Sequence, residues 1–328
     1  AAAISGISSI YHFHELKSVI SACANYAESF TLNRIEHPRA EQTVETSTDK
    51  LNTWIYQNYP LHRINRLAPI VGQLRASKNP YEIWCMGKAC HISGKGFERI
   101  LNYVEPGITG RQIMAELYHE YIQHGGDWAH YEPIAASGAN TCILHYISNE
   151  NSLQDGELLL VDAAASFKHY NADLTRTIPV SGRYTPRQKQ VYNAVLHIHN
   201  TLKQTIRAGM FIQDFQTLCT ELTLEQLCKL GLTSTNEIKS LGADALMNRF
   251  AYHNFGHYLG LAVHDSGNIH LPIPENAVIT IEPGIYIQDE QIGVRIENNV
   301  LVMADDNLDL MKDIPIEVEE IEDLMART

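Results

Sequence analysis

Three things are missing from this chain: a membrane-spanning stretch, a cysteine framework and a surplus of basic charge. No apolar run approaches the roughly 20 residues that cross a bilayer as a helix. The opening Ala1-Ala2-Ala3-Ile4 shows none of the basic, apolar and small-residue order of a signal segment. Lys and Arg number 25 against 38 Asp and Glu, a formal net charge of −13. That balance argues against nucleic acid or an anionic membrane as partner. Part of the acidic excess, Glu317, Glu319, Glu320, Glu322 and Asp323, reads as a solvated helix face. The six cysteines, Cys23, Cys85, Cys90, Cys142, Cys219 and Cys228, include no Cys-x-x-Cys pair. Most sit in apolar, helix-like surroundings and read as structural thiols of a reducing compartment, the cytoplasm. The chain also begins without methionine, so a fragment of a longer protein is expected.

At 328 residues, one large and one small domain are the natural expectation. The pattern predicts a small α/β domain over 1–73: an amphipathic stretch from Phe13 to Tyr26, then the strand Ser29-Phe30-Thr31-Leu32. A polar turn and a helix ending near Tyr56 follow, stopped by Asn58-Tyr59-Pro60. A new helix opens at Asn79-Pro80. From there, over 74–328, the order of elements repeats. Helices over 80–104 and 110–124 lead to strands ending at Val180, and helices reaching Arg207 and over 212–230 lead to strands again. Gly107 aligns with Gly209, Ile108 with Met210 and Ile113 with Phe215, which suggests two related halves with a cleft at their seam.

Asp162, Asp173, His257, Glu282 and Glu297 stand inside apolar or tightly turned stretches where a solvated charge does not belong. Asp162 ends Leu158-Leu159-Leu160-Val161, Glu282 follows Val278-Ile279-Thr280-Ile281, and Glu297 follows Val294-Arg295-Ile296. Buried carboxylates are paired or bound to a metal, and four converging on one cavity repel one another. Four carboxylates and an imidazole exceed a single closed zinc site but suit two hard or borderline ions sharing bridging oxygens. Asp162 and Asp173 are 11 apart, so on one continuous strand they would face opposite sides. Two adjacent strands joined through the turn at Lys168-His169-Tyr170-Asn171 let them meet. His253 and His257 are spaced like the histidines of a His-Glu-x-x-His zinc helix, but residue 254 is Asn254 and no helix-forming run surrounds them. Gly256 and Gly260 suggest an irregular strand instead. These residues read as a two-metal hydrolase.

The resemblance is specific. Leu160-Val161-Asp162-Ala163, Ala172-Asp173-Leu174-Thr175-Arg176-Thr177, His253-x-x-Gly256-His257-x-x-Gly260-Leu261-x-Val263-His264-Asp265, Ile281-Glu282-Pro283-Gly284-Ile285-Tyr286 and Val294-Arg295-Ile296-Glu297 resemble the proline-specific metallopeptidases of the pita-bread fold. These are Xaa-Pro aminopeptidase and Xaa-Pro dipeptidase (prolidase). Upstream, Leu74-Arg75-x-x-Lys78-x-Pro80-x-Glu82-Ile83 and Ser137-Gly138-x-Asn140-x-x-x-x-His145-Tyr146 match in the same order. The resemblance implies an α/β (α+β) catalytic domain of two pseudo-symmetric halves, preceded by part of a creatinase-like N-terminal domain.

It implies roles residue by residue. Asp162 chelates one metal, Asp173 and Glu297 bridge both, and His257 and Glu282 complete the second. The ions are two Mn²⁺, with Co²⁺ or Zn²⁺ as substitutes. His145 and His264 line the cleft and stabilise the reacting carbonyl. His253 walls the proline pocket, Arg295 and Tyr286 relay protons, and Glu282 handles the proton of a hydroxide bridging the ions. The implied substrates are peptides with proline second, cut after the first residue by a homo-oligomeric aminopeptidase. Three departures stand out: Ala164 and His169 where relatives commonly have Gly, and Asn298 where Asp is frequent. The family's N-terminal domain is also longer than residues 1–72.

Methionine aminopeptidase shares the five ligand types. His253, the Gly-Leu-x-Val-His-Asp continuation, Arg295 and an extra N-terminal domain favour proline specificity over it. Creatinase is metal-free and binding-only relatives lose ligands, whereas all five are retained here. The dipeptidase reading stays open as the alternative.

Overall fold

The computed structural model describes residues 2–34 and 45–326. The chain divides into two compact units, Ala1–Gly72 and Gln73–Thr328. The first contains α1 (Ala2–Ser5), α2 (Leu16–Ala24), β1 (Ser29–Leu32), α3 (Ser47–Asn58) and β2 (Arg63–Arg66). β1 and β2 pair in parallel, Ser29 opposite Arg63 and Leu32 opposite Arg66. Thr46 caps α3, its hydroxyl accepting from the Asp49 amide while the Asp49 carboxylate accepts from the Thr46 amide. The polar turn expected before α3 falls largely on residues outside those described.

α4 (Ala68–Ala76) leads into the second unit. There α5 (Pro80–Tyr103) and α6 (Gly110–Gln123) precede β3 (Asp127–Trp128), β4 (Ile134–Ser137), β5 (Leu158–Asp162), β6 (Ala165–Phe167), β7 (Tyr170–Asn171) and β8 (Thr175–Pro179). Then α7 (Pro186–Thr205) and α8 (Ile212–Lys229) are followed by α9 (Thr235–Leu241), α10 (Ala243–Phe250), β9 (Ala277–Ile281), β10 (Gly284–Ile287), β11 (Ile292–Arg295), β12 (Asn298–Val302), β13 (Leu308–Asp309) and α11 (Val318–Met325).

The two halves repeat in detail. Both long helices open with a cap and a proline: Asn79-Pro80 with Glu82 closing the box on α5, and Thr185-Pro186 with Gln188 on α7. Proline suits that first turn because its missing N–H would be unbonded there anyway. After each long helix a glycine turns the chain, Gly107 at φ 97° and Gly209 at φ 90°. The Gly107 amide donates to the Leu153 carbonyl and the Leu153 amide to Ile108, both at 2.8 Å; Gly209, Ile273 and Met210 repeat that pair at the same lengths. Ile113 and Phe215, which follow in α6 and α8, are both fully buried. Each half then builds a three-stranded antiparallel sheet, β4-β5-β8 in the first and β13-β12-β9 in the second. A bridge between Thr175 and Glu297 joins them.

Two expectations need correction. Strands do not follow α8 directly: α9 and α10 intervene, with Ser234 capping the first and the buried Leu246, Met247 and Phe250 anchoring the second. The His253–His264 stretch, expected as an irregular strand, is irregular, with a bridge from Tyr258 to Ile279. It runs beside β9 through the bonds Thr280 to His257, Leu259 to Val278 and Glu282 to Phe255. A Cβ on Gly256 would lie 2.2 Å from the Thr280 carbonyl oxygen, so only glycine allows that approach. Glu322 is not on a solvated face. It is buried, accepting from Lys189 at 2.9 Å and from the Tyr184 amide at 2.9 Å.

Candidate metal centre

The strand ends of the two sheets deliver the acidic groups. β5 ends at Asp162 and β9 at Ile281, one residue before Glu282; β8 begins two residues after Asp173, and β12 begins just after Glu297. Each pair of carboxylates flanks a hairpin, β6–β7 in one half and β10–β11 in the other. The adjacent-strand arrangement expected for Asp162 and Asp173 is thus realised, with Asp162 opposite Thr175 across β5 and β8.

Ligand atoms of Asp173, His257 and Glu297 lie within 4.8 Å of one another. His257 Nε2 stands 3.4 Å from Glu282 Oε1 and 3.5 Å from Asp173 Oδ2. Its Nδ1–H donates to the Tyr258 carbonyl at 3.0 Å, so Nε2 is the nitrogen turned to the carboxylates, as in metal-ligating histidines. Asp162 belongs to the same group, since its charge acts on both Glu282 and Glu297. Asp162 Oδ2 accepts from Arg295 Nη2 at 2.7 Å.

Burial is the leading electrostatic influence. With Asp173 and Asp162 nearby, it pushes Glu282 up to about 7 against the pull of His257 and Arg295. Burial and the charges of Asp173, Glu282 and Asp162 hold Glu297 well above the usual carboxylate range. Asp162 is raised too, by burial and Asp173, with Arg295 opposing. Burial pulls the His257 imidazole down, but the Asp173 hydrogen bond and the Glu282 and Asp173 charges outweigh it and push His257 up to about 9. At neutral pH such a cluster is held together only by protons or by cations. Glu297 Oε1 and Asp162 Oδ1 are buried without a well-aligned hydrogen-bond partner, with the Tyr131 hydroxyl beside Asp162. Two divalent cations would balance the four carboxylates and give those two oxygens partners, so the donor set fits them.

A chain of hydrogen bonds leads away from Asp162. Arg295 Nη1 donates to the Tyr286 oxygen at 2.9 Å, and the Tyr286 hydroxyl donates to His253 Nε2 at 2.8 Å. His253 Nδ1–H in turn donates to the Asn254 carbonyl at 2.7 Å. Burial and the Arg295 charge push His253 down to about 3, so it is neutral and accepts. The His264 ring meets His257 edge to face, centroids 4.4 Å apart. His145 is exposed. The other nine residues expected at the site lie in or beside one centre.

Four further residues belong to it. Thr175 Oγ1 donates to Glu297 Oε2 at 2.7 Å, and Thr280 Oγ1 accepts from the His257 amide at 3.0 Å. Asn299 bonds the Asp173 backbone, and the Tyr131 hydroxyl lies among Asp173, Asp162 and Glu297. Thr175 stood in the quoted motif, but nothing in a lone sequence marks a threonine as a carboxylate's partner. Tyr131 carried no signal at all.

The model of metallopeptidase family M24 matches residues 85–304. The Xaa-Pro aminopeptidase of Escherichia coli K12 is 32% identical over 305 residues, covering 89% of this chain and 69% of that protein. That of Haemophilus influenzae is 33% identical, covering 78% and 62%. Human Xaa-Pro aminopeptidase 3 is 31% identical, covering 81% of this chain and 54% of its own length. The chain thus spans between about half and two thirds of these curated relatives. Among solved structures, E. coli aminopeptidase P with the inhibitor Pro-Leu superposes with a TM-score of 0.85 at 31% identity, covering 99% of this chain and 76% of the other. Proline aminopeptidase P II from Yersinia pestis gives 0.86 at 28%, covering 99% and 78%. The fold is the pita-bread fold, the site is built for divalent metal, and the chain belongs to metallopeptidase family M24.

Proposed function

We propose that this chain is a metal-dependent exopeptidase that releases the first residue from peptides with proline second. The convergence of Asp173, His257 and Glu297 within 4.8 Å carries the reading, because no structural purpose requires three such groups face to face. Asp162 would hold one ion, Asp173 and Glu297 would hold both, and His257 and Glu282 would complete the second. Mn²⁺ is the native ion, with Co²⁺ or Zn²⁺ able to substitute. Bound there, two divalent cations supply Lewis-acid polarisation of the scissile carbonyl and activation of a water molecule.

The chain's own residues do the rest. Glu282, beside the attacking water, takes a proton from it and returns it towards the leaving nitrogen. That transfer is needed because the proline nitrogen carries no hydrogen in the peptide and must gain one before it leaves. His264, and His145 across the cleft, stabilise the oxyanion. His253 walls the proline pocket, its tautomer set by Tyr286 and Asn254. The aligned donors from Arg295 through Tyr286 to His253 form the proton relay. The first unit is part of a creatinase-like N-terminal domain, and the protein works as a homo-oligomer in the cytoplasm.

Parallel hydrolysis of Ala-Pro-Ala, Ala-Ala-Ala, Met-Ala-Ala and the dipeptide Ala-Pro, with Mn²⁺ supplied, tests this. Loss of two ring carbons, Cγ and Cδ, costs about 1.6 kcal/mol of burial, at roughly 0.8 per methylene. Ala-Pro-Ala should therefore exceed Ala-Ala-Ala by at least about fifteenfold, more if the carbonyl is also misplaced. Preference for Met-Ala-Ala would hand the site to methionine aminopeptidase chemistry, and faster cleavage of Ala-Pro would make it a dipeptidase.

A further inference from the structure

The two carboxylates assigned as bridging are each held by the strand that carries the other. Asp173 lies two residues before Thr175, and Glu297 two residues before Asn299, so in extended chain each pair shares a face. The Asn299 side-chain oxygen accepts from the Asp173 amide at 3.0 Å, and its amide nitrogen donates to the Asp173 carbonyl at 2.6 Å. A single side chain thereby takes the place of a strand partner for Asp173. In the other direction, the Thr175 hydroxyl donates to Glu297 Oε2 at 2.7 Å, and the Glu297 amide donates to the Thr175 carbonyl at 3.1 Å. Arg176 reinforces this half, Nη1 donating to the carbonyls of Glu297 at 2.8 Å and Thr175 at 2.9 Å. Thr175, Arg176 and Asn299 are all fully buried.

We propose that Asn299 and Thr175 are positioning residues that form a reciprocal clamp, fixing Asp173 and Glu297 relative to each other so that both span the same pair of cations. The proposal rests on the two-metal reading above. Asn299 acts through the Asp173 backbone and Thr175 through Glu297 Oε2, leaving Oε1 as the unpartnered oxygen of that carboxylate. The physical reason for such a device is repulsion. Two buried carboxylates of like charge drift apart unless their backbones are tied, and a shared ion pair needs their oxygens at one spacing in both the free and the loaded protein.

The test is Mn²⁺ binding by titration calorimetry, together with electron paramagnetic resonance of the loaded protein, on wild type, Asn299→Asp, Asn299→Ser and Thr175→Val. Asn299→Asp keeps the acceptor for the Asp173 amide but sets an oxygen against the Asp173 carbonyl. Thr175→Val keeps the shape and removes the hydroxyl. Wild type should bind two ions and show the spectrum of an exchange-coupled pair. The variants should lose about 10–100-fold in affinity for at least one ion, the range for partners that orient metal ligands, and should show the six-line signal of isolated Mn²⁺. A variant that merely loosens the fold would bind more weakly yet keep the coupled spectrum once saturated, which overturns the clamp. Unchanged affinity also overturns it. Should both Asn299 variants fail to fold, Thr175→Val decides by the same two readouts. Fewer than two ions in wild type would overturn the two-metal reading itself and the clamp with it.

Discussion

His257 and His264 lie ring against ring, centroids 4.4 Å apart, yet their chemistry differs. His257 turns Nε2 to Asp173 and Glu282 and anchors Nδ1 on the Tyr258 carbonyl, while His264 is exposed. His264→Ala should keep both metals and lose about 10²–10³ in kcat, as for one oxyanion donor. His257→Ala should lose metal as well. Elemental analysis beside the kinetics separates them, and equal metal loss would make His264 a ligand. A second residue-scale case is the turn between β6 and β7. Phe167 faces Tyr170 across a two-residue turn, with Lys168 at φ 50° and His169 at φ 69°. Left-handed backbone at both places is what a tight hairpin demands and what glycine tolerates best. His169 is one of these two left-handed positions, so the turn keeps its geometry at a cost. His169→Gly should raise stability by about 1 kcal/mol, read from the denaturant midpoint; a lower midpoint would mean that the histidine side chain compensates.

Among elements, α11 shows how packing overrides a charge pattern. Its acidic run includes Glu322, whose carboxylate is enclosed and bonded to Lys189, the Tyr184 amide and Arg183. Burial works against the charged form, but those donors prevail and hold the Glu322 carboxyl below its usual range. A depressed folded value stabilises the fold above the unfolded pKa, about 4.3, and that contribution is lost as pH falls through the folded one. Glu322→Gln should therefore cost about 1–2 kcal/mol at pH 7, with the gap to wild type closing below about pH 4. Denaturant melts across pH check this, and a gap constant with pH would assign the loss to packing alone. α9 and α10 make the same point about legibility. Residues 234–250 have a cap and an apolar stripe, but the repeat of the first half suggested strands there, and repetition of order is no guide to an insertion.

On the scale of the whole molecule, the metal centre is also a stability device. Three of its carboxylates are raised by burial and mutual repulsion, so cations that neutralise them bind the folded chain and not the unfolded one. At free Mn²⁺ one hundred times the dissociation constant the gain is about 2.7 kcal/mol per site. Chelation should lower the melting midpoint, and the midpoint should climb with added Mn²⁺; independence from the ion would contradict the site. Glu297→Ala or Asp173→Ala should remove this dependence together with activity, since a bridging group serves both ions. By itself the sequence determined which acidic and imidazole groups stand in apolar stretches, because a solvated charge does not belong there, and the repeat, because helix breaks recur with their glycines. It also marked the start of the first long helix at Asn79-Pro80. Only the tertiary structure decided which groups hold those ligands in place. Thr175 and Asn299 are uncharged residues whose roles arise from strands that meet more than a hundred residues apart in the chain, and Thr280 meets His257 across a shorter connection. It also decided that Glu322 is enclosed and that the histidine segment lies against β9. Local pattern records propensity and burial, whereas partnership depends on which surfaces the folded halves bring together.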